Sequence, residues 1–111
     1  MAGSDGAGQG RAPDATAAVE AVVHGWVQGV GFRFFALGRA TALGLTGWVA
    51  NEPDGTVRCL AEGSRADLER LLAALRDGPP GAAVTRVEAS WRAPSGRFDR
   101  FSVRSAYHPG D

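Results

Sequence analysis

A glycine-rich stretch that ends in an arginine is the part of the chain whose residue types point most directly to chemistry. It reads His24-Gly25-Trp26-Val27-Gln28-Gly29-Val30-Gly31-Phe32-Arg33 and follows a valine-rich run. Glycine permits positive φ and lets a ligand approach the backbone N–H groups closely, and a loop that leads into a helix directs those groups at an anion. The planar guanidinium of Arg33 can bind a phosphate or carboxylate through two parallel hydrogen bonds. The stretch therefore predicts an oxyanion site, with phosphate as the favoured ligand.

The two best-known phosphate loops do not fit this stretch. A Walker loop requires a lysine, and the 12 basic residues of this chain are all arginine. A dinucleotide-binding loop requires a third glycine where Phe34 stands. The remaining alternative is a glycine-rich connection that only turns the chain, and the position of Arg33 between Phe32 and Phe34 argues against it.

Asn51 is the second candidate for a functional residue. It follows the apolar segment 46–50 and precedes the turn sequence Glu52-Pro53-Asp54-Gly55. Asparagine is common in turns, so a purely structural role is the ordinary interpretation. If strand pairing brings this turn beside the glycine-rich stretch, however, the Asn51 amide can hold a water next to the bound anion.

The other polar and aromatic candidates favour structural roles. His24 has no second histidine near it in the sequence, because the other one, His108, lies close to the C-terminus. Trp26 and Trp48 are candidates for pocket walls, but packing in the core or at a rim is the more common role of such residues. Asp54 is interpreted as part of the turn and not as a catalytic acid.

Composition limits the classes of protein to which the chain can belong. Its 111 residues are enough for one domain, and 12 acidic and 12 basic residues give a formal net charge of +0. This balance gives no general attraction to nucleic acid or to a membrane surface, and a monomer is expected. Cys59 is the single cysteine, and no Cys/His cluster has metal-binding spacing, so no metal or cofactor is expected. Without an apolar run of membrane-spanning length or a signal-peptide core, a cytoplasmic location is the simplest expectation.

Hydrophobic periodicity predicts five strands and two helices. A Gly/Ala/Asp-rich tail (1–17) and a frayed end (106–111) flank one domain (18–105). Alternation of apolar residues predicts strands at 18–23, 46–51, 56–62, 84–91 and 101–104. Apolar residues at helical spacing predict one helix after Phe32 and another after Ser64, which is its predicted N-cap. The order is that of an α+β, ferredoxin-like split βαβ fold, with two helices on one face of an antiparallel sheet. Cys59 is expected to face those helices as a buried, unreactive residue.

Two segments of the chain resemble the signatures of the acylphosphatase family. Residues 24–33 are similar to the pattern G-x-V-Q-G-V-x-F-R, and residues 43–51 are similar to G-[FYW]-[AV]-x-N. The resemblance covers about residues 18–105 in the same order and at the same spacing. It implies a small, metal-free hydrolase that converts acyl phosphates to a carboxylate and inorganic phosphate, and it implies the same ferredoxin-like fold.

The resemblance also implies roles for individual residues. Arg33 binds the phosphate together with the backbone amides of the loop, and Asn51 orients the attacking water. The phosphate-binding positions that it implies are Gln28, Gly29, Val30, Gly31, Phe32 and Arg33. The partner is then a small acyl phosphate, with inorganic phosphate and other anions as product or inhibitors.

Two alternatives remain at this point. The same fold serves ligand-binding and regulatory modules, including RNA-binding ones, but segment 56–62 has a single arginine and no aromatic residue, which RNA-binding sheets of this kind use for stacking. The second alternative is a domain that handles carbamoyl phosphate within a much longer maturation enzyme.

Overall fold

The computed structural model describes residues 14–105. Most of the predicted N-terminal tail and all of the predicted frayed end, including His108, lie outside this range. The tail prediction extended too far, because the first strand begins at Thr16. Among the described residues, no helix is long and apolar enough to cross a membrane.

The chain forms five strands and two helices in the predicted order. The strands are β1 (Thr16–Trp26), β2 (Thr46–Asn51), β3 (Val57–Ser64), β4 (Ala83–Arg92) and β5 (Phe101–Val103). The helices are α1 (Phe32–Ala42) and α2 (Arg65–Asp77). β1 is longer than predicted at both ends, and it incorporates Gly25 and Trp26 because both pair with the start of β4 across a bulge. A Cβ at Gly25 would lie 2.1 Å from the carbonyl oxygen of Ala83, so only glycine allows this pairing.

The sheet has the strand order β4-β1-β3-β2-β5. β1 pairs with both β3 and β4, and β2 pairs with β3, all antiparallel, as predicted for the ferredoxin-like fold. The short β5 lies parallel to β2 at the edge, so the sheet as a whole is mixed rather than antiparallel. The pairing of β3 with both β1 and β2 brings the hairpin that carries Asn51 next to the end of β1.

Both helices pack on one face of the sheet and enclose the core. α1 packs on β2 and β5, and α2 packs on β1, β3 and β4. Cys59 lies in this core, as predicted, and burial raises the pKa of its thiol to about 12, which makes the thiolate inaccessible at neutral pH. The largest side chains that are almost fully buried are Phe32, Leu68, Leu71, Leu72 and Leu75.

The opposite face of the sheet is partly covered, which the sequence did not indicate. Glu62 lies three residues after Cys59 on β3 and so points to the face opposite the helices, yet it is only 6% exposed. The segment after β4 lies over it: Glu62 accepts hydrogen bonds from the backbone N–H and hydroxyl of Ser95 and from the N–H of Gly96, at 2.7–2.9 Å. Burial opposes ionisation of this carboxyl, but the hydrogen bonds from Ser95 and Gly96 outweigh it and hold the Glu62 pKa below its ordinary value.

Glu62→Gln is expected to lower the free energy of unfolding by about 1–3 kcal/mol at pH 7, because it weakens charge-assisted hydrogen bonds to a buried group. The carboxyl pKa is lower in the folded state, so its contribution is present above the unfolded-state value near 4.5 and disappears as the pH falls through the folded-state pKa. Urea denaturation of the wild type and of Glu62→Gln, at pH 7 and in acid, measures this difference in the free energy of unfolding. The exposed Glu69 is the matched control, and Glu69→Gln should cost no more than about 0.5 kcal/mol. Equal losses of unfolding free energy for Glu62→Gln and Glu69→Gln at pH 7 would contradict the stabilising role of the Glu62 hydrogen bonds.

Candidate active site

The loop between β1 and α1 has a backbone conformation that suits an anion site. Gly29 and Gly31 both have φ of +77°, in the left-handed region. A Cβ at either position would meet no atom within 4 Å, so these glycines are needed for their conformation and not for space. Left-handed residues in such a turn direct successive backbone N–H groups into one concavity, which favours anions.

The N-terminus of α1 is open in a way that the N-terminus of α2 is not. In α2, the hydroxyl of Ser64 accepts a hydrogen bond from the N–H of Asp67, and Asp67 places a carboxylate in the first turn. In α1, Gly31 occupies the N-cap position without a side-chain hydrogen bond, and the first turn has no acidic residue. The first-turn N–H groups of α1 and the positive end of its dipole are therefore available to an external anion.

Arg33 and Asn51 line one cavity together with both glycines of the loop. The volume of this cavity is about 210 Å³. Its lining residues are Val27, Gly29, Gly31, Phe32, Arg33, Phe34 and Asn51. The hairpin that the sequence predicted to carry Asn51 toward the loop therefore does so. Of the predicted phosphate-binding positions, Gln28 and Val30 are not among the lining residues.

The Arg33 guanidinium is hydrogen-bonded to the segment that follows β5. Its Nη1 donates a hydrogen bond to the carbonyl oxygen of Arg104 at 2.8 Å. The backbone of Arg104 is fixed in turn, because its N–H donates to the carbonyl of Val49 at 2.8 Å, and its guanidinium lies 4.6 Å from the centre of the Trp48 ring. One donor of Arg33 is thereby committed to positioning, which leaves the rest of its planar fork for a ligand.

Gln28 connects the loop to the hairpin through its side chain. Its Nε2 donates to the carbonyl oxygens of Glu52 and Thr56, at 2.8 and 2.9 Å. These two residues bracket the turn after Asn51. The side-chain nitrogen of Gln28 is thus occupied, and the contribution that it can still offer an anion is its backbone N–H.

Gln28→Met keeps the length of the side chain and removes both donors. It is expected to lower kcat for an acyl phosphate about tenfold, because Asn51 then loses its fixed distance to the loop, and to reduce the free energy of unfolding by about 1–2 kcal/mol. The inhibition constant of inorganic phosphate should change little. If phosphate inhibition weakens as much as kcat falls, the Gln28 side chain contacts the anion directly and this account of it is wrong.

The other candidates from the sequence are His24, Asp54, Trp26 and Trp48, and their contacts are those of structural residues. The Nε2 of His24 lies 2.7 Å from Oε1 of Glu88, and this hydrogen bond lowers the Glu88 pKa. Asp54 accepts hydrogen bonds from the hydroxyl and the N–H of Thr56, which lower its pKa and fix the turn as predicted. Trp26 is exposed, Trp48 stacks with Arg104, and neither is among the residues that line the cavity.

No metal site is found in the described part of the chain, where no group of three or more His, Cys, Asp or Glu side chains is suitably placed.

A second cavity of about 190 Å³ lies at the other end of β1, and Arg65, Trp91 and Arg92 contribute to its lining. Its cations already have partners, since Arg65 stacks on Trp91 and lies 3.1 Å from Glu69, and Arg92 pairs with Glu20. The cavity at the loop is therefore the better candidate for an anion.

Comparison with known proteins gives a consistent result. The acylphosphatase family model matches residues 19–103. An acylphosphatase from Mycolicibacterium smegmatis is 48% identical over 88 residues, which cover 79% of this chain and 90% of that protein. The crystal structure of acylphosphatase from Bacillus subtilis superposes with a TM-score of 0.77 at 36% identity, covering 79% of this chain and 98% of the other. Full-length HypF, in its phosphate- and nucleotide-bound form, matches with a TM-score of 0.75 at 26% identity, covering 87% of this chain but 13% of HypF.

Proposed function

The chain belongs to the acylphosphatase family, and we propose that Arg33, the backbone amides of residues 28–33 and Asn51 form its active site. The enzyme hydrolyses acyl phosphates to a carboxylate and inorganic phosphate. The observation that carries the proposed assignment is the single cavity of about 210 Å³ that both glycines of the loop, Arg33 and Asn51 line together.

The phosphoryl group is held by fixed positive potential. Phosphoryl transfer spreads negative charge over the peripheral oxygens, so catalysis depends mainly on positioning and electrostatics. The uncapped N-terminus of α1 supplies N–H groups, and Arg33, already oriented by its bond to the Arg104 carbonyl, supplies a planar cation. Because these donors are in place before the reaction, they stabilise the developing charge without reorganisation, an effect that typically accounts for several kcal/mol.

Asn51 holds the attacking water in line with the bond that breaks. An amide does not accept a proton at neutral pH, so Asn51 orients the water and does not act as a base. The water oxygen forms a bond to phosphorus while the bond from phosphorus to the acyl oxygen breaks, and the carboxylate leaves with the electron pair. The proton of the water passes to a phosphate oxygen of the substrate, and the carboxylate is a good enough leaving group to need no protonation.

Phosphate release from acetyl, carbamoyl and benzoyl phosphate, measured with and without EDTA, tests this proposal. We expect turnover that EDTA does not change and that inorganic phosphate inhibits competitively. Loss of activity with EDTA would contradict the metal-free mechanism. Turnover of carbamoyl phosphate alone would instead indicate the role of a carbamoyl-phosphate-handling domain, and binding without turnover would indicate a regulatory module.

We further propose that the protein acts as a cytoplasmic monomer with small anionic ligands as its partners. The balanced charge, with a formal net value of +0, gives no general attraction to nucleic acid or to anionic membranes. The thiol of Cys59 is free and buried, which suits a reducing compartment. Analytical ultracentrifugation tests the oligomeric state, and cell fractionation tests the location.

A further inference from the structure

Phe34 differs from its neighbours in α1 in a way that the core does not explain. Phe32 is 2% exposed and belongs to the core, whereas Phe34 is 65% exposed. Each residue of an α-helix turns about 100°, so residues two positions apart point to nearly opposite sides. Phe32 thus anchors the first turn of α1 inward, and Phe34 stands on the outer side, with Arg33 between them.

The exposure of Phe34 is informative because this residue lies at the candidate active site. A single exposed apolar residue is ordinary on a protein surface. Phe34, however, lines the cavity that contains Arg33 and Asn51. In the described part of the chain, the exposed large hydrophobic residues are Trp26 and Phe34, which flank the loop on either side. Binding sites for small molecules typically combine a few convergent polar groups with an apolar wall, and Phe34 is the exposed aromatic residue of this one.

The geometry of phosphoryl transfer indicates which part of the substrate Phe34 would contact. In-line displacement places the water and the leaving group on opposite sides of phosphorus. If Asn51 on β2 holds the water, the acyl group lies on the side of the phosphorus away from β2. Phe34 lines the cavity from the first turn of α1, whereas Asn51 lines it from β2, so Phe34 is the exposed aromatic side chain available to contact an acyl group on that side.

We propose that Phe34 determines specificity for the acyl group, with its ring packing against aromatic or longer apolar acyl chains. This inference rests on the proposed function, because it takes the phosphate to be bound at Arg33. Acetyl phosphate offers the ring only one methyl group, whereas benzoyl phosphate offers an aromatic face that can stack against it. The enzyme therefore prefers aromatic and longer apolar acyl phosphates to acetyl phosphate.

The test compares kcat/KM for benzoyl phosphate and for acetyl phosphate in the wild type and in Phe34→Ala. We expect the benzoyl-to-acetyl ratio to fall about tenfold, while kcat/KM for acetyl phosphate and inhibition by inorganic phosphate stay within about twofold. Phe34→Leu, which keeps part of the apolar surface, should give an intermediate ratio. Trp26→Ala is the matched control, since Trp26 is 70% exposed but is not among the residues that line the cavity, and its ratio should equal that of the wild type.

The outcomes separate this inference from the proposed function. If the wild type hydrolyses both substrates but Phe34→Ala leaves the ratio unchanged or lowers both values equally, the role of Phe34 is wrong and the active site stands. An equal shift in Trp26→Ala would also overturn the assignment, because the effect would then come from general surface hydrophobicity. If the wild type hydrolyses neither substrate, the proposed function and the inference both fail.

Discussion

Arg33→Lys is expected to lower kcat/KM for benzoyl phosphate by about 10²–10³-fold, although it conserves the charge. In the wild type, Nη1 of Arg33 donates to the Arg104 carbonyl at 2.8 Å, and the other donors of the planar fork remain for the phosphate. A lysine ammonium is a point charge without this fork, so it cannot hold the carbonyl and bind two phosphate oxygens in the same geometry. The loss should appear in both kcat and the inhibition constant of phosphate, since Arg33 binds the anion in the ground state and binds the greater charge of the transition state more strongly.

Arg39→Lys is the matched control for this prediction. Arg39 lies on the same helix, where its guanidinium is 5.3 Å from the centre of the Phe35 ring, and it does not line the cavity. Its substitution should leave the kinetics unchanged. Steady-state kinetics and thermal denaturation of both variants distinguish loss of the site from loss of the fold. A folded Arg33→Lys enzyme with kcat/KM within threefold of the wild type would show that the guanidinium is not required.

Asn51→Ala is expected to reduce kcat by about 10²-fold or more while phosphate inhibition changes by less than about twofold. The reason is that Asn51 acts on the water and not on the phosphate, so its removal affects the chemical step alone. This pattern differs from that of Arg33→Lys, in which binding and turnover weaken together. The two variants thus assign separate roles to two residues of one cavity.

The control for Asn51 comes from its own strand. Thr46→Ala alters a half-buried residue at the opposite end of β2, and it should leave both kcat and phosphate inhibition near the wild-type values. Near wild-type turnover of benzoyl phosphate by Asn51→Ala would refute the role of this residue. A parallel loss of turnover and phosphate binding would instead place Asn51 on the anion.

The parts of the fold that depend on local sequence were predictable. The helical spacing after Phe32, the N-cap at Ser64 and the turn around Asp54 are signals within a few residues, and the structure agrees with each. The antiparallel order of the four main strands was predictable because connection lengths and patterning leave few arrangements. The sequence did not indicate that β5 lies parallel to β2, because a strand of three residues carries too little pattern to fix its direction.

The contacts that support the site were not predictable, for a common physical reason. Arg33 donates to the carbonyl of Arg104, and Gln28 donates to the carbonyls of Glu52 and Thr56. Every residue has a backbone carbonyl, so residue type does not reveal which one a side chain will find. Glu62 is a similar case, since two of its three donors are backbone N–H groups of the segment after β4. The sequence indicated Arg33 and Asn51 as candidates, and the role of Asn51 came from the family resemblance, whereas the contacts around these residues required the structure.

The most direct test of the central claim is a titration of the ¹⁵N-labelled protein with inorganic phosphate, followed by NMR of the backbone amides. We predict saturable chemical-shift changes concentrated in the backbone amides of residues 28–33 and in the side chains of Arg33 and Asn51, with a midpoint equal to the kinetic inhibition constant of phosphate. Changes centred on Arg65 and Arg92, at the second cavity, or no saturable change in the loop between β1 and α1, would contradict the account.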